Sequence, residues 1–285
     1  CIINCIEIFK DSIDNFLYDL AIHYDVSENY SKAITYLQKA GDNFYDLFDK
    51  SKALECYKRI TKIVKNYRSE IKLESIEEIY HTVYLKSIFI NIDFGNLDYS
   101  LKKLNTYRPL DDSKSAYKEN LLGNLYSMQK SIPTSLEHYQ AAEKIYKKQN
   151  NIERLHKNKR DQAIALYSIG KFEESLKDLN ISLDYFKDQD NYLQITEILG
   201  NIGSVYLAQG EVNKAFIFYD KQYKTAIKNN SKTSIKSALG NMANITNISG
   251  KHDEALKIFT QLISICEDLN DKDGLSKTYN NIGLC

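Results

Sequence analysis

Gly203-Ser204-Val205-Tyr206-Leu207-Ala208-Gln209-Gly210, followed by Ala215 and Tyr219, is the clearest copy of a pattern that runs through much of this chain. Asn201-Ile202 stands before it. The same start recurs as Asn241-Met242-Ala243 and as Asn281-Ile282-Gly283. Two earlier copies are centred on Gly123 and Ala163, so the period is about 40 residues. Other columns keep the phase. Three residues after each small residue stands Tyr126, Leu166, Tyr206 or Thr246. Next come Lys130, Gly170, Gly210 or Gly250, then Ser135, Ser175, Ala215 or Ala255, then Tyr139, Leu179, Tyr219 or Phe259.

Each column has a physical reason. Spacings of three and four residues put side chains on one face of a helix, not of a strand. Small residues at 123, 163, 203 and 243 let two helices approach closely. Glycine at 170, 210 and 250 takes the left-handed conformation that ends a helix. Small residues at 135, 175, 215 and 255 open the second helix to its neighbour, and the large residue one turn on fills the gap. The pattern predicts first helices near 114–130, 151–169, 191–209 and 231–249. Second helices are expected near 132–148, 172–188, 212–229 and 252–269. One such hairpin cannot bury its apolar face alone, so the units must stack.

From about 114 to 285 these residues resemble the tetratricopeptide repeat (TPR). The unit is longer than the usual TPR and looks like the long-helix subclass of signalling adaptors. The departures are the absence of Trp, Lys130 in place of the turn glycine, and Thr246 in place of the aromatic. The resemblance implies an all-α, right-handed superhelical solenoid of antiparallel helix hairpins.

Upstream the register is looser. Ile88, Gly95, Ser100 and Leu104 fit one further hairpin, closed by Pro109. Ala33 with Leu37 and Ala53 with Tyr57 repeat the small–large pair. Helices are expected near 8–25, 29–48, 50–66 and 70–94. The chain thus divides into irregular TPR-like helices over 1–68, a divergent hairpin over 69–110 and a regular array over 111–285 with a truncated last unit. The segment around His23-Tyr24, Ala33 to Asp42 and Lys52 to Tyr57 is similar to helical repeats that follow the ATPase module of large signalling proteins, among them nucleotide cyclases and kinases. Generic TPR-like helices are the rival explanation. The start at Cys1 without an initiator Met, and a new first helix opening over Ser276 to Cys285, lead us to expect a fragment of a longer protein.

Composition bounds the chemistry. Lys+Arg and Asp+Glu are both 38, a formal net charge of +0. Nucleic-acid binding draws on a basic excess, which is missing. Lys147, Lys148, Arg154, Lys157, Lys159 and Arg160 form the densest basic cluster and read as a solvated hairpin. The 5 cysteines, Cys1, Cys5, Cys56, Cys266 and Cys285, make no CxxC pair and read as free thiols of a reducing compartment. Cys1 and Cys5 have the spacing of one helix face, but two thiolates do not complete a metal site. Cys56 reads as a core thiol. No apolar run reaches about 18 residues, and Cys1 to Phe9 is too short and acidic for a signal peptide. Phosphate loops and HExxH are absent, and the five histidines are scattered. The expectation is a cytoplasmic protein that is not an enzyme over this span and needs no cofactor or metal.

The binding signal lies on the first helices. There Ile202 and Tyr206 face the core, while Asn201 and Ser204 share another face. Asn241 with Asn244, then Asn281, repeat it, and Asn120 with Asn124 stand one turn apart on an earlier unit. In TPR stacks this face lines the concave groove, so the resemblance implies a peptide-binding groove. An amide both donates and accepts, so a ladder of amides can hold a peptide backbone. Arg160 and Tyr167 would add a carboxylate or stacking contact. A solvated polar face in an Asn-rich chain is the rival explanation. The expected partner is a protein or peptide, including a partner domain of a longer chain; nucleic acid and membrane are not expected. The alternative function is a regulatory arm of an ATPase-linked signalling enzyme.

Overall fold

The structure, a computed structural model, describes residues 16–47, 49–269 and 271–283. The expected thiols Cys1, Cys5 and Cys285 lie outside the described residues, as do 8–15 of the first expected helix. In chain order the α-helices are α1 (Leu17–Val26), α2 (Tyr30–Asp46), α3 (Lys50–Tyr67), α4 (Ile76–Asp93), α5 (Leu97–Thr106), α6 (Asp112–Met128) and α7 (Ile132–Lys148). They continue as α8 (Ile152–Ser168), α9 (Phe172–Asp188), α10 (Tyr192–Ala208), α11 (Val212–Lys228), α12 (Lys232–Ile248), α13 (His252–Asp268) and α14 (Lys272–Gly283). The all-α architecture of TPR-like hairpins read from the sequence is the one observed. The chain divides into two compact units, Cys1–Gln149 and Asn150–Cys285. No helix among the described residues is long and apolar enough to cross a membrane.

From α6 to α13 each helix has 17 residues and the connections have three. The connections are built alike. In the turn after α10, the Gly210 N–H donates to the Leu207 carbonyl at 3.0 Å and the Glu211 N–H to the Tyr206 carbonyl at 2.9 Å. This is the Schellman pattern, which satisfies carbonyls the helix leaves open. It needs one residue with positive φ. Gly170, Gly210 and Gly250 supply it inside hairpins, and Asn150, Asp190 and Asn230 supply it after second helices. Lys130 stands in the same place at φ 63, so the turn survives without its glycine.

First helices in Asn150–Cys285 carry a side-chain cap. Asn151, Asn191, Ser231 and Asp271 accept from the backbone N–H three residues on. The second helices begin at Lys171, Glu211 and Lys251 with no such bond.

Packing follows the columns. A Cβ on Gly203 would lie 2.5 Å from the Tyr219 ring, and one on Gly123 would lie 2.6 Å from Tyr139. Where the small residue is alanine, the partner is Leu179 or Phe259, and all four of these side chains are buried. The Ser135 and Ser175 hydroxyls donate to the Gly123 and Ala163 carbonyls at 2.7 and 2.8 Å, so these serines bind the first helix as well as making room.

Among the described residues of the first unit, one helix start departs from the sequence reading. Helix α4 starts at Ile76, not near 70, because Arg68–Glu70 is a single 3-10 turn and Ile71 is extended. Ile71 is buried, and the Lys72 N–H donates to Ser31 Oγ at 2.9 Å, so the chain is drawn back across the start of α2. Cys56 is a buried thiol, as expected, and burial pushes its pKa up to about 12.

Candidate functional site

Within Asn150–Cys285 the first helices α8, α10 and α12 line a cleft of about 410 Å³. Residues one period apart fall on its walls in register. Arg160, Gly200 and, beside the next hollow, Gly240 hold one column; Ile164 and Ser204 hold another; Asn201 and Asn241 hold a third. The column that holds Arg160 on α8 continues with glycine on α10 and α12. A Cβ on Gly240 would meet only Leu262, at 3.9 Å. At Gly200 the vacated space is taken by the buried Gln222, whose Nε2 would lie 2.6 Å from an added Cβ.

Four of the expected binding residues, Arg160, Asn201, Ser204 and Asn241, are brought together here. Their states differ. The Asn241 Nδ2 donates to Gln222 Oε1 at 2.9 Å. The Ser204 hydroxyl bonds to the Gly200 carbonyl and to the Tyr219 hydroxyl, at 3.0 and 3.1 Å. Arg160 is engaged within the protein: Nε and Nη2 donate to Asp161 Oδ1 at 3.1 and 2.8 Å, and Nη1 donates to Gln194 Oε1 at 2.7 Å and to Glu197. Asn201 makes no side-chain hydrogen bond to the described residues, and neither does Ser237 on the facing helix.

The register explains this difference. In two places the residue two before the small column meets the residue one after it on the preceding first helix. Asn281 Nδ2 thus donates to Asn244 Oδ1 at 3.2 Å. In the first unit the Lys86 ammonium donates to Asp42 at 2.7 Å through the same register. For Asn201 the facing residue is Ile164, which has no polar atom to offer and is 42% exposed. The Asn201 amide is thus left without a side-chain partner among the described residues.

The remaining expected residues lie elsewhere. Asn120 is buried at 7% exposure. Asn124 accepts from the Tyr139 hydroxyl at 2.6 Å. Tyr167 packs on Phe172, ring centroids 6.1 Å apart. A second hollow of about 370 Å³ adjoins the first along α12, with Ser237 lining both. It holds the Lys236–Asp271 ion pair at 2.6 Å, the buried Cys266 and Asn281. Burial raises the Asp271 pKa, but the Lys236 ammonium and the Gly274 N–H outweigh it and leave the carboxyl below its usual value.

Sequence reasoning missed Glu197, Gly200, Gln222, Ser237 and Gly240. The recurrence of Gly200 as Gly240 was the available signal. Each lies three residues before the small column. The basic cluster is neutralised: Lys147 pairs with Glu143, Lys148 with Asp112, Lys157 with Glu153 and Lys159 with Asp178.

No family profile matches the sequence, and no curated protein matches it. Solved structures do. A Rap protein complexed with competence and sporulation factor has a TM-score of 0.61 at 16% identity, over 93% of this chain and 78% of that one. The Rap conjugation gene regulator of a plasmid, in complex with a Phr peptide, has a TM-score of 0.58 at 16% identity, with the same coverages of 93% and 78%. A signal transduction ATPase with numerous domains and a tetratricopeptide repeat sensor, from Pyrococcus horikoshii, has a TM-score of 0.58 at 14% identity, over 93% of this chain and 41% of that one. At these identities the likeness shows the fold, a TPR-like helical repeat.

Proposed function

We propose that this chain is a cytoplasmic interaction scaffold that binds an extended peptide segment of a protein partner in the cleft across α8, α10 and α12. The observation that carries this reading is at Asn201. It presents an amide without a hydrogen-bond partner among the described residues, in a cleft that Ser237 and Asn241 also line. A side-chain amide matches the donor and acceptor of a peptide group and so holds a backbone whatever its side chains. Rap proteins of the same fold have been solved with a peptide or factor bound, which supports the class of ligand.

The test is a photo-crosslinking amino acid placed in the full chain at Ile164, in the cleft, or at Ile217, which is 51% exposed on second helix α11. A partner crosslinked from Ile164 and not from Ile217 is the expected result. Asn201→Ala should then weaken that partner by about five-fold to ten-fold without lowering thermal stability, as loss of one or two neutral hydrogen bonds would. Equal crosslinking from both positions sinks the reading.

A second reading has one observation in its favour, the likeness to the ATPase with a TPR sensor, of which this chain spans 41%. There the repeats would be the sensing arm of a larger signalling enzyme. Sequence upstream of Cys1 in the source gene decides it: a phosphate loop supports the arm, and an open reading frame without one removes it.

A further inference from the structure

The cleft carries an exposed carboxylate, Glu197, that its peptide-binding role does not require. Arg160 faces two carboxylates, Asp161 and Glu197, and bonds to both. Asp161 is sunk, with its side chain 14% exposed, whereas the Glu197 side chain is 45% exposed and lines the cleft. The nearby ammonium groups point elsewhere: Lys157 pairs with Glu153 and Lys236 with Asp271. Arg160 already donates through Nε, Nη1 and Nη2, so it is poorly placed to receive a ligand carboxylate. The accessible charge is therefore acceptor in character, and a cation is the complementary group.

We propose that the cleft selects a segment with a lysine or arginine side chain seated against Glu197, its backbone on Asn201 and an apolar neighbour over Ile164. This rests on the peptide-cleft reading above and adds the chemical class of its ligand. The geometry on one helix is consistent with it. Glu197 and Asn201 are one turn apart on α10, about 6 Å, so one residue of an extended segment can reach both.

The experiment uses the isotopically labelled full chain and four end-blocked alanine pentapeptides with arginine, lysine, norleucine or glutamate at the centre. The readout is the Asn201 side-chain amide resonance. The arginine and lysine peptides should shift it with dissociation constants about five-fold lower than norleucine, the scale of a half-exposed ion pair. Glu197→Gln should erase that preference. It leaves Arg160 bonded to Asp161 and Gln194, and its fold is checked by thermal unfolding. Equal affinities for all four peptides, or a preference for glutamate, overturn the cationic specificity while the cleft stands. No movement of Asn201 with any peptide at millimolar concentration overturns the cleft itself, and this inference with it.

Discussion

Tyr57, Tyr139 and Tyr219 repeat one construction. Each lies sixteen residues after a glycine, Gly41, Gly123 or Gly203, and presses its ring onto that glycine's backbone. Each hydroxyl reaches the polar residue that follows the glycine: Asp42 at 2.6 Å, Asn124 at 2.6 Å and Ser204 at 3.1 Å. Glycine goes with tyrosine because the ring needs the space of a Cβ. Gly203→Ala should therefore destabilise the protein by roughly 1 kcal/mol net, overpacking being offset in part by helix propensity. Adding Tyr219→Leu, the combination seen at Ala163 and Leu179, should recover much of the packing loss in urea denaturation. A double variant as unstable as the sum of the singles would contradict this pairing.

His156 makes a second prediction at this scale. Its ring stacks on Tyr185, centroids 4.2 Å apart, and its Nδ1 is buried without a hydrogen-bond partner among the described residues. Burial holds the imidazole below its usual value, and Lys159 adds to the effect. The folded state thus gives up the proton more readily than the unfolded one. Stability from this group is full above about pH 6.5 and falls as pH drops below it. His156→Phe, which keeps the stack, should flatten the stability profile between about pH 7 and 5. An unchanged slope would exclude His156 as its source.

Among the elements, Lys130 shows how firmly the hairpin dictates its turn. A left-handed lysine is strained by about 1 kcal/mol, and the surrounding bonds hold it there. Lys130→Gly should stabilise the chain by about 0.5 kcal/mol after glycine's entropy in the unfolded state is counted, measured as a higher urea midpoint with an unchanged slope. The same element shows why the sequence was legible from α6 onward. Helix and turn recur every 20 residues there, so apolar positions, left-handed turns and small–large pairs all agree. Upstream, α5 has only 10 residues and Ile71 runs extended, so the phase is lost although the Gly41–Tyr57 pair is the same device. The site was half legible for a related reason. Periodicity finds the residues that repeat, Asn201 and Asn241. The residues that make the cleft particular, Ile164, Glu197 and Gln222, do not repeat. Their roles depend on which neighbour each meets.

At the scale of the molecule, the repeats touch mainly their neighbours. Within Asn150–Cys285, each helix packs on the one before it, and first helices α8, α10 and α12 also meet in sequence. The buried clusters follow suit, one around Phe186 and Ile202 and another around Leu239 and Phe259. Damage should then stay local. Phe259→Ala, at 0% exposure, should cost roughly 3 to 5 kcal/mol. Native-state hydrogen exchange should accelerate in α13 and α14 while α8 and α9 keep their protection. Uniform acceleration across all of these helices would show a single cooperative block instead.

The connections also bear on how such a chain can change in length. Turn and helix mark time every 20 residues, but the open face returns only every 40. Copying about 40 codons inside this gene lengthens the protein by one hairpin and adds a rung in line with Asn201 and Asn241. Copying half that stretch would exchange inward and outward helices for everything downstream. Recombination can thus extend the ligand-facing surface in whole steps, and each new rung inherits its place before selection has chosen its side chain.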